Sequence, residues 1–294
     1  MKKTKKIFTF LLALTVTLGS VPVTARAETG TKPEDGTTIG QPFPSGTGGS
    51  QNFRIPGLVT LDDGTLVASC DARWNHGGDA CGLDTVVSRS TDHGATWNYT
   101  FANYLGDYGN QMNQYSSAFI DPAIATDGET VYMIADVWPG GYAINTAPLR
   151  PVAGQNGFDA NGNLRLSADN RSTYGYHLEK NTGDAESYYV IKENATGNVV
   201  EGYTVDAYFN LTGNGVTSNL FYYDSPYLVY PTDYLYLTSS KDGGATWSVP
   251  SLLNLKKESE QTLLVGPGRG IVTSKGRIVF TAYEFTGGDR NSVC

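Results

Sequence analysis

After residue 30 the apolar positions fall in short runs of Val, Ile, Thr and Tyr, separated by Gly, Asp and Asn, and helical periodicity is hard to find. Three of these runs form matched pairs around a glycine-bearing turn. Leu58-Val59-Thr60 and Leu66-Val67-Ala68 flank Asp62-Asp63-Gly64. Ala123-Ile124-Ala125 and Val131-Tyr132-Met133-Ile134 flank Thr126-Asp127-Gly128, and Ile271-Val272-Thr273 and Ile278-Val279-Phe280 flank Ser274-Lys275-Gly276. Apolar and β-branched residues on both sides of such a turn predict β-hairpins. Recurring small antiparallel units predict an all-β fold, and specifically a propeller whose blades are single sheets.

A second repeat supports this. Ser90-x-Asp92-x-Gly94-x-Thr96-Trp97 returns as Ser240-x-Asp242-x-Gly244-x-Thr246-Trp247. An Asp carboxylate accepts backbone N–H bonds within a turn, Gly permits the backbone path, and Trp packs beneath it. This is the Asp-box pattern, so Asp92 and Asp242 read as structural residues. The two copies lie further apart than one blade requires. Between them a Tyr- and Asn-rich stretch, residues 145–231, reads as an inserted β-subdomain or, alternatively, as a degenerate blade. The expected organisation is therefore a propeller part over 51–144, the insertion over 145–231, and a second propeller part over 232–294.

The amino-terminal end has a different pattern. Lys2, Lys3, Lys5 and Lys6 precede a mainly apolar run from Ile7 to Leu18, and Ala25-Arg26-Ala27 supplies small residues at a cleavage position. Residues 1–27 thus read as a secretory signal, too short in its apolar part for a membrane span. This predicts export to the cell surface or medium, with no membrane insertion of the mature form. Residues 28–50 are rich in Gly, Thr, Pro and Ser and read as a flexible linker. The net charge of −8 leaves no basic stripe for nucleic acid, although a local cationic pocket needs only a few arginines. Cys70 and Cys81 flank the loop carrying Arg73 and Asp79. They read either as a disulfide bracing that loop or as two buried thiols, and the absence of a disulfide framework favours thiols.

The repeat also marks where chemistry would gather, since loops near a propeller's axis converge from separate blades. Arg54, Asp121 and Arg269 stand just before the first strand of each hairpin. Asp71 to Arg73, Asp136 to Trp138, and Tyr283 with Glu284 stand just after the second strand. His76, His93 and His177 are scattered and suggest neither a metal site nor a nucleophile–base pair.

Phe53-Arg54-Ile55-Pro56, followed by Arg73 and Asp79 and backed by two Asp boxes, resembles the bacterial sialidases (exo-α-neuraminidases). The resemblance runs from about Gln51 to the end of the chain. The insertion is similar to that of large secreted sialidases and intramolecular trans-sialidases. The family resemblance implies a six-bladed propeller of which about three blades are present, with sialylated glycans as partners; the sequence offers no cofactor or metal-site residues and leaves calcium binding open. Arg54 would be the first of three arginines gripping the sialic acid carboxylate, which a planar guanidinium suits. Arg73 would support the sugar ring, and Asp79 would be the general acid/base. Asp121 would bond the O4 group, Ile120 and Trp138 would wall the N-acetyl pocket, and Tyr283 would lie on the substrate side. From the residues alone, Arg54 also fits a blade-edge ion pair, and Asp79 and Asp121 also fit turn formation.

The same resemblance implies a tyrosine nucleophile, a glutamate that activates it and two further arginines, none of which this chain supplies at matching positions. The chain is therefore expected to be an amino-terminal part of a sialidase, inactive by itself. A reading from a different class is a non-catalytic, carbohydrate-binding Asp-box propeller.

Overall fold

A computed structural model describes residues 31–79, 82–106, 113–142, 157–183, 187–256, 262–286 and 289–293; the side chains of 285–291 are outside that description. Residues 1–27, expected from sequence to be an export signal, and Cys81 and Cys294 lie outside the described residues. The chain is all-β, with propeller-type sheets and a seven-stranded sheet inserted between them.

The first blade takes β1 (Gly36–Ile39), β2 (Phe53–Thr60), β3 (Leu66–Ala72), β4 (Asp84–Ser90) and β5 (Thr96–Asn103), in the spatial order β1-β5-β4-β3-β2. The expected hairpin is the β2–β3 pair, with Leu58 opposite Ala68 and Val59 opposite Val67. β1 comes from the stretch that composition marks as linker. Its backbone pairs with β5 from Gly36–Tyr99 to Ile39–Thr96, while Phe43 stacks on Phe53 at 5.7 Å. An edge strand is held by ladder hydrogen bonds rather than by burial, so a composition poor in large apolar residues does not exclude it.

The second blade opens with β6 (Ala118–Thr126) and β7 (Val131–Trp138), the second expected hairpin. The chain then leaves the blade for seven short strands: β8 (Leu164–Ser167), β9 (Tyr176–Lys180), β10 (Tyr189–Glu193), β11 (Tyr203–Val205), β12 (Asn210–Gly213), β13 (Val216–Asn219) and β14 (Leu228–Val229). They form one antiparallel sheet, ordered β13-β12-β11-β10-β9-β8-β14. Its tyrosines and phenylalanines share a core with the blade. Phe209 stacks on Tyr189, meets Phe221 edge-on, and Phe221 meets Tyr234 in turn. Buried phenols find acceptors, as Tyr234 shows by donating to the Tyr230 carbonyl at 2.8 Å. The blade then resumes with β15 (Tyr234–Ser240) beside β7 and β16 (Ser251–Leu253) beside β15. The insertion therefore sits between the second and third strands of one blade, which accounts for the wide spacing of the two turn repeats.

The third unit departs from the pattern-based expectation. β17 (Thr262–Val265) pairs with β21 (Ala282–Thr286), which pairs with β22 (Asp289–Val293). Between them, β18 (Gly268–Arg269) lies parallel to β6. The predicted third hairpin exists as β19 (Ile271–Val272) and β20 (Ile278–Val279), but only as a two-residue ribbon, with Ile271 exposed. Thr262-Leu263-Leu264-Val265 is buried throughout, and a continuous apolar run suits a strand covered on both faces. It displaces the hairpin from the blade's centre. β18 approaches β2 closely at Gly57, where a Cβ would stand 2.3 Å from the Gly268 carbonyl oxygen.

The repeated turns join β4 to β5 in the first blade and β15 to β16 in the second. In the second, Ser240 Oγ donates to Asp242 Oδ1 at 2.7 Å and accepts Gly244 N–H at 2.8 Å. Asp242 accepts Thr246 N–H at 2.8 Å. The first copy repeats these bonds through Ser90, Asp92, Gly94 and Thr96. A third copy lies in the insertion. Ser167 Oγ bonds Asp169 at 2.7 Å and Arg171 N–H at 2.8 Å, and Asp169 accepts Thr173 N–H at 2.8 Å. Arg171 stands there at φ 65°, in the place glycine holds in the other two. Ser240 and Gly244 are buried, so Ser240→Ala strands an amide without a partner. The expected loss is about 1–3 kcal/mol in urea unfolding; an unchanged midpoint would show that the hydroxyl does not organise the turn.

Candidate functional site

Two motifs carry the same backbone event at the inner strands. In Phe53-Arg54-Ile55-Pro56 the β2–β3 register shifts between Arg54 and Gly57, and in Phe119-Ile120-Asp121-Pro122 the β6–β7 register shifts between Ile120 and Ala123. The residue before each proline is left-handed, Ile55 at φ 62° and Asp121 at φ 56°. Non-glycine residues in that region cost of order 1–3 kcal/mol and concentrate at functional sites. This corrects the repeat alignment read from sequence. Asp121 is equivalent to Ile55, and Arg54 to Ile120, because each pair holds the same place relative to the register shift and its proline. Arg269, placed in the same set, is an exposed residue of β18.

Arg54, Arg73, Asp79 and Asp121 converge around one buried carboxylate. Asp71, opposite Arg54 in the ladder, accepts Arg73 Nε at 3.2 Å and Nη2 at 2.7 Å on Oδ2, and Asp121 N–H at 3.0 Å on Oδ1. Asp71 thus fixes the arginine of its own blade and the strained residue of the next. Arg73 is 1 % exposed along its side chain. Its Nη1 donates to Gly78 O at 2.9 Å, to Gly77 O at 3.3 Å, and to Asp79 Oδ1. Arg54, with 49 % of its side chain exposed, donates to the same Asp79 oxygen at 3.0 Å and to Gly77 O at 3.2 Å. The loop ending in Asp79 is therefore clipped down by both guanidinium groups, with about half of the Asp79 side chain still open to solvent.

The electrostatics follow from this arrangement. The Arg73 hydrogen bond, with Arg54 nearby, holds the Asp79 carboxyl below the usual carboxylate range. Burial pushes Asp121 up to about 6, although Arg73 and Arg54 pull the other way. Burial likewise pushes Asp71 up to about 7 against the pull of Arg73. The Cys70 thiol, buried and raised by desolvation, donates to the Arg54 carbonyl at 3.1 Å.

Ile120 and Trp138, expected as pocket walls, are 2 % and 3 % exposed. They pack with Leu83, Ala118 and Leu264, and Tyr283 rests half-buried against that cluster. Alternation along β6 turns Ile120 inward when Asp121 is partly open. By its place in the sequence Asp136 is only a polar position near the axis. It is a buried acceptor for Val265 N–H at 3.1 Å, repeating between the second and third units what Asp71 does between the first and second. Asp84 and Asp233 form a further such pair, accepting Leu105 N–H at 2.6 Å and Leu263 N–H at 3.0 Å. The signal available was their shared place next to a strand end in each blade.

Blades of antiparallel strands thus carry an arginine–carboxylate cluster at their inner strands, the arrangement of a β-propeller with a polar axial site. Sequence comparison agrees: the chain is a homologue of the sialidases. It is 31 % identical over 283 residues to sialidase B of Streptococcus pneumoniae, covering 82 % of this chain and 40 % of that protein. It is 29 % identical to the anhydrosialidase of Macrobdella decora, covering 77 % of this chain and 34 % of that one. Among solved structures, the intramolecular trans-sialidase of Ruminococcus gnavus, in complex with oseltamivir carboxylate, matches with TM-score 0.67 and 28 % identity, covering 83 % of this chain and 60 % of its own. The leech intramolecular trans-sialidase, complexed with 2,7-anhydro-Neu5Ac, matches with TM-score 0.69 and 25 % identity, covering 87 % and 46 %. No protein-family model matches the chain. The chain spans about a third to two-fifths of the length of these two curated relatives.

Proposed function

We propose that this chain carries the amino-terminal part of a sialidase site, and that the whole protein removes terminal α-linked sialic acid from glycoconjugates. The observation that carries the reading is the ion-pair cluster of Arg54, Arg73 and Asp79 beside Asp121. The Asp79 carboxylate sits on Arg54. A sialic acid carboxylate takes that place on Arg54, and Asp79 keeps only its bond to buried Arg73. Proton donation by Asp79 depends on this exchange, because with both guanidinium groups attached it is held as a carboxylate. Arg73 then acts by anchoring the Asp79 loop, and Asp121 offers its partly buried carboxyl to a sugar hydroxyl. The Ser-x-Asp-x-Gly-x-Thr-Trp turns are Asp boxes in this reading, residues 1–27 an export signal, and the mature protein an extracellular one acting on sialylated glycans.

The test is calorimetric titration of this chain with N-acetylneuraminic acid, with its methyl ester as the uncharged control. Binding of the acid, at least tenfold weaker for the ester and for Arg54→Ala, is the expected result. Arg54→Lys restores little, because an ammonium cannot match a planar carboxylate with two parallel donors. Equal binding of acid and ester, or an affinity that Arg54→Ala leaves unchanged, overturns the proposal.

A further inference from the structure

Two tyrosines meet on the surface, at the same end of β6 and β7 as the Arg54–Asp79 cluster. Tyr115 precedes β6 and Tyr223 follows β13 in the insertion; their ring centroids are 4.4 Å apart, and each residue is 38 % exposed. Buried neighbours fix both backbones. Ser116 and Ser117 follow Tyr115, Phe221 and Tyr222 precede Tyr223, and all four are buried. Tyr222 donates its hydroxyl to the Leu105 carbonyl, so one ring turns inward where the next turns out. Residues 139–142, which follow β7, give Tyr223 its seat. A Cβ at Gly140 would stand 2.6 Å from the Tyr223 nitrogen, and one at Gly141 2.8 Å from the Tyr223 ring. Two glycines thus let an exposed ring lie against backbone. Tyrosines held this way present a large, rigid, amphipathic contact area at little cost in entropy.

The chain links this pair to the acid of the site. Three residues after Asp79, Gly82 N–H donates to Ser117 O at 3.1 Å. Leu83 then pairs with Ala118 in a parallel bridge, and Phe119 N–H donates to Leu83 O at 2.8 Å. Tyr115 therefore stands beside the continuation of the loop that Arg54 and Arg73 hold down. In the other direction six residues lead from Tyr115 to Asp121, at most about 20 Å of backbone and within the span of a short glycan. A general acid protonates the leaving oxygen, so the group attached to sialic acid lies on the Asp79 side. That is the side on which the two rings stand. Phenol rings suit the apolar C–H face of a neutral pyranose.

We propose, building on the sialic acid reading above, that Tyr115 and Tyr223 form a specificity subsite for the neutral sugars to which the terminal sialic acid is joined.

The test is calorimetric titration of the full chain with methyl α-sialoside, which carries no neutral sugar, and with 3'-sialyllactose. The expected result is binding of sialyllactose about fivefold tighter or more. Tyr115→Ala and Tyr223→Ala each remove that preference and leave the affinity for methyl α-sialoside unchanged, which also shows that the fold is intact. Tyr223→Phe keeps the preference, because the ring makes the contact. Equal binding of the two ligands by the parent chain, or a preference that either alanine variant preserves, overturns this inference and leaves the sialic acid reading standing. If an alanine variant loses both ligands, the rings support the fold instead, and the inference fails. A parent chain that binds neither sialoside overturns the sialic acid reading, and the subsite with it.

Discussion

Replacing Arg73 by methionine is expected to destabilise the chain by about 3–5 kcal/mol, the range for removing one partner of a buried ion pair. The guanidinium is 1 % exposed and bonds Asp71 through two nitrogens. Without it, the Asp71 carboxylate is buried with no compensating charge. The change also frees the Gly77 and Gly78 carbonyls and the Asp79 carboxylate, so the loop loses its anchor along with the stability. Arg73→Lys rescues little, because one ammonium cannot serve two faces at once. Combining Arg73→Met with Asp71→Asn removes the stranded charge, and the pair should cost less than the sum of the single changes. Urea unfolding of the four proteins checks this. An Arg73→Met variant within about 1 kcal/mol of the parent rules out the pair as an organising element.

The second large effect is a loss of stability from mildly acid to mildly alkaline pH. Burial pushes Asp84 up to about 7, against the bonds it accepts from Leu105 N–H and Trp74 Nε1–H. Burial also raises Asp136 well above the carboxylate range. A carboxyl whose folded value exceeds its unfolded value of about 4 binds more protons folded than unfolded between the two. Its contribution is therefore full below about pH 4 and declines as pH rises towards 7. The turn carboxylates Asp92, Asp169 and Asp242, held at about 2, act in the opposite sense but only below about pH 4. From pH 5 to pH 8 the drop expected from Asp84 alone is about 2 kcal/mol, or about 4–8 °C in Tm, and Asp71, also raised to about 7, adds to it in the same direction. Thermal unfolding at the two values measures it, and Asp84→Asn should flatten the slope. A Tm that rises over this interval, or a slope that Asp84→Asn leaves intact, would falsify the assignment of the slope to Asp84.

The parts of this structure legible in the sequence are those written in local patterns. The β2–β3 and β6–β7 hairpins follow from apolar runs around glycine turns, and both tryptophan-bearing turns lie where their motif placed them. The gathering of Arg54, Arg73 and Asp79 was legible because a hairpin carries its flanking residues to one end of the sheet. What escaped depends on three-dimensional context. The third Ser-x-Asp turn was hidden because Arg171 replaces the expected glycine, its left-handed backbone held in place by the surrounding bonds. The equivalence of Asp121 with Ile55 was hidden because the two hairpin turns differ in length by one residue, so counting from the turns misaligns the strands. Ile120 and Trp138 proved buried because strand alternation, rather than closeness in sequence to Asp121, sets which way they face. β1 gave no signal because edge pairing draws on the backbone alone.

The place of the insertion has a consequence for assembly. β7 and β15 are neighbours in space, but some 95 residues of chain separate them. Joining the ends of a flexible loop that long costs about 4 kcal/mol in entropy. A seven-stranded sheet that returns its own ends side by side, β8 next to β14, offsets that cost. The insertion then works as a clasp, and the two halves of the second blade are delivered together instead of having to find each other.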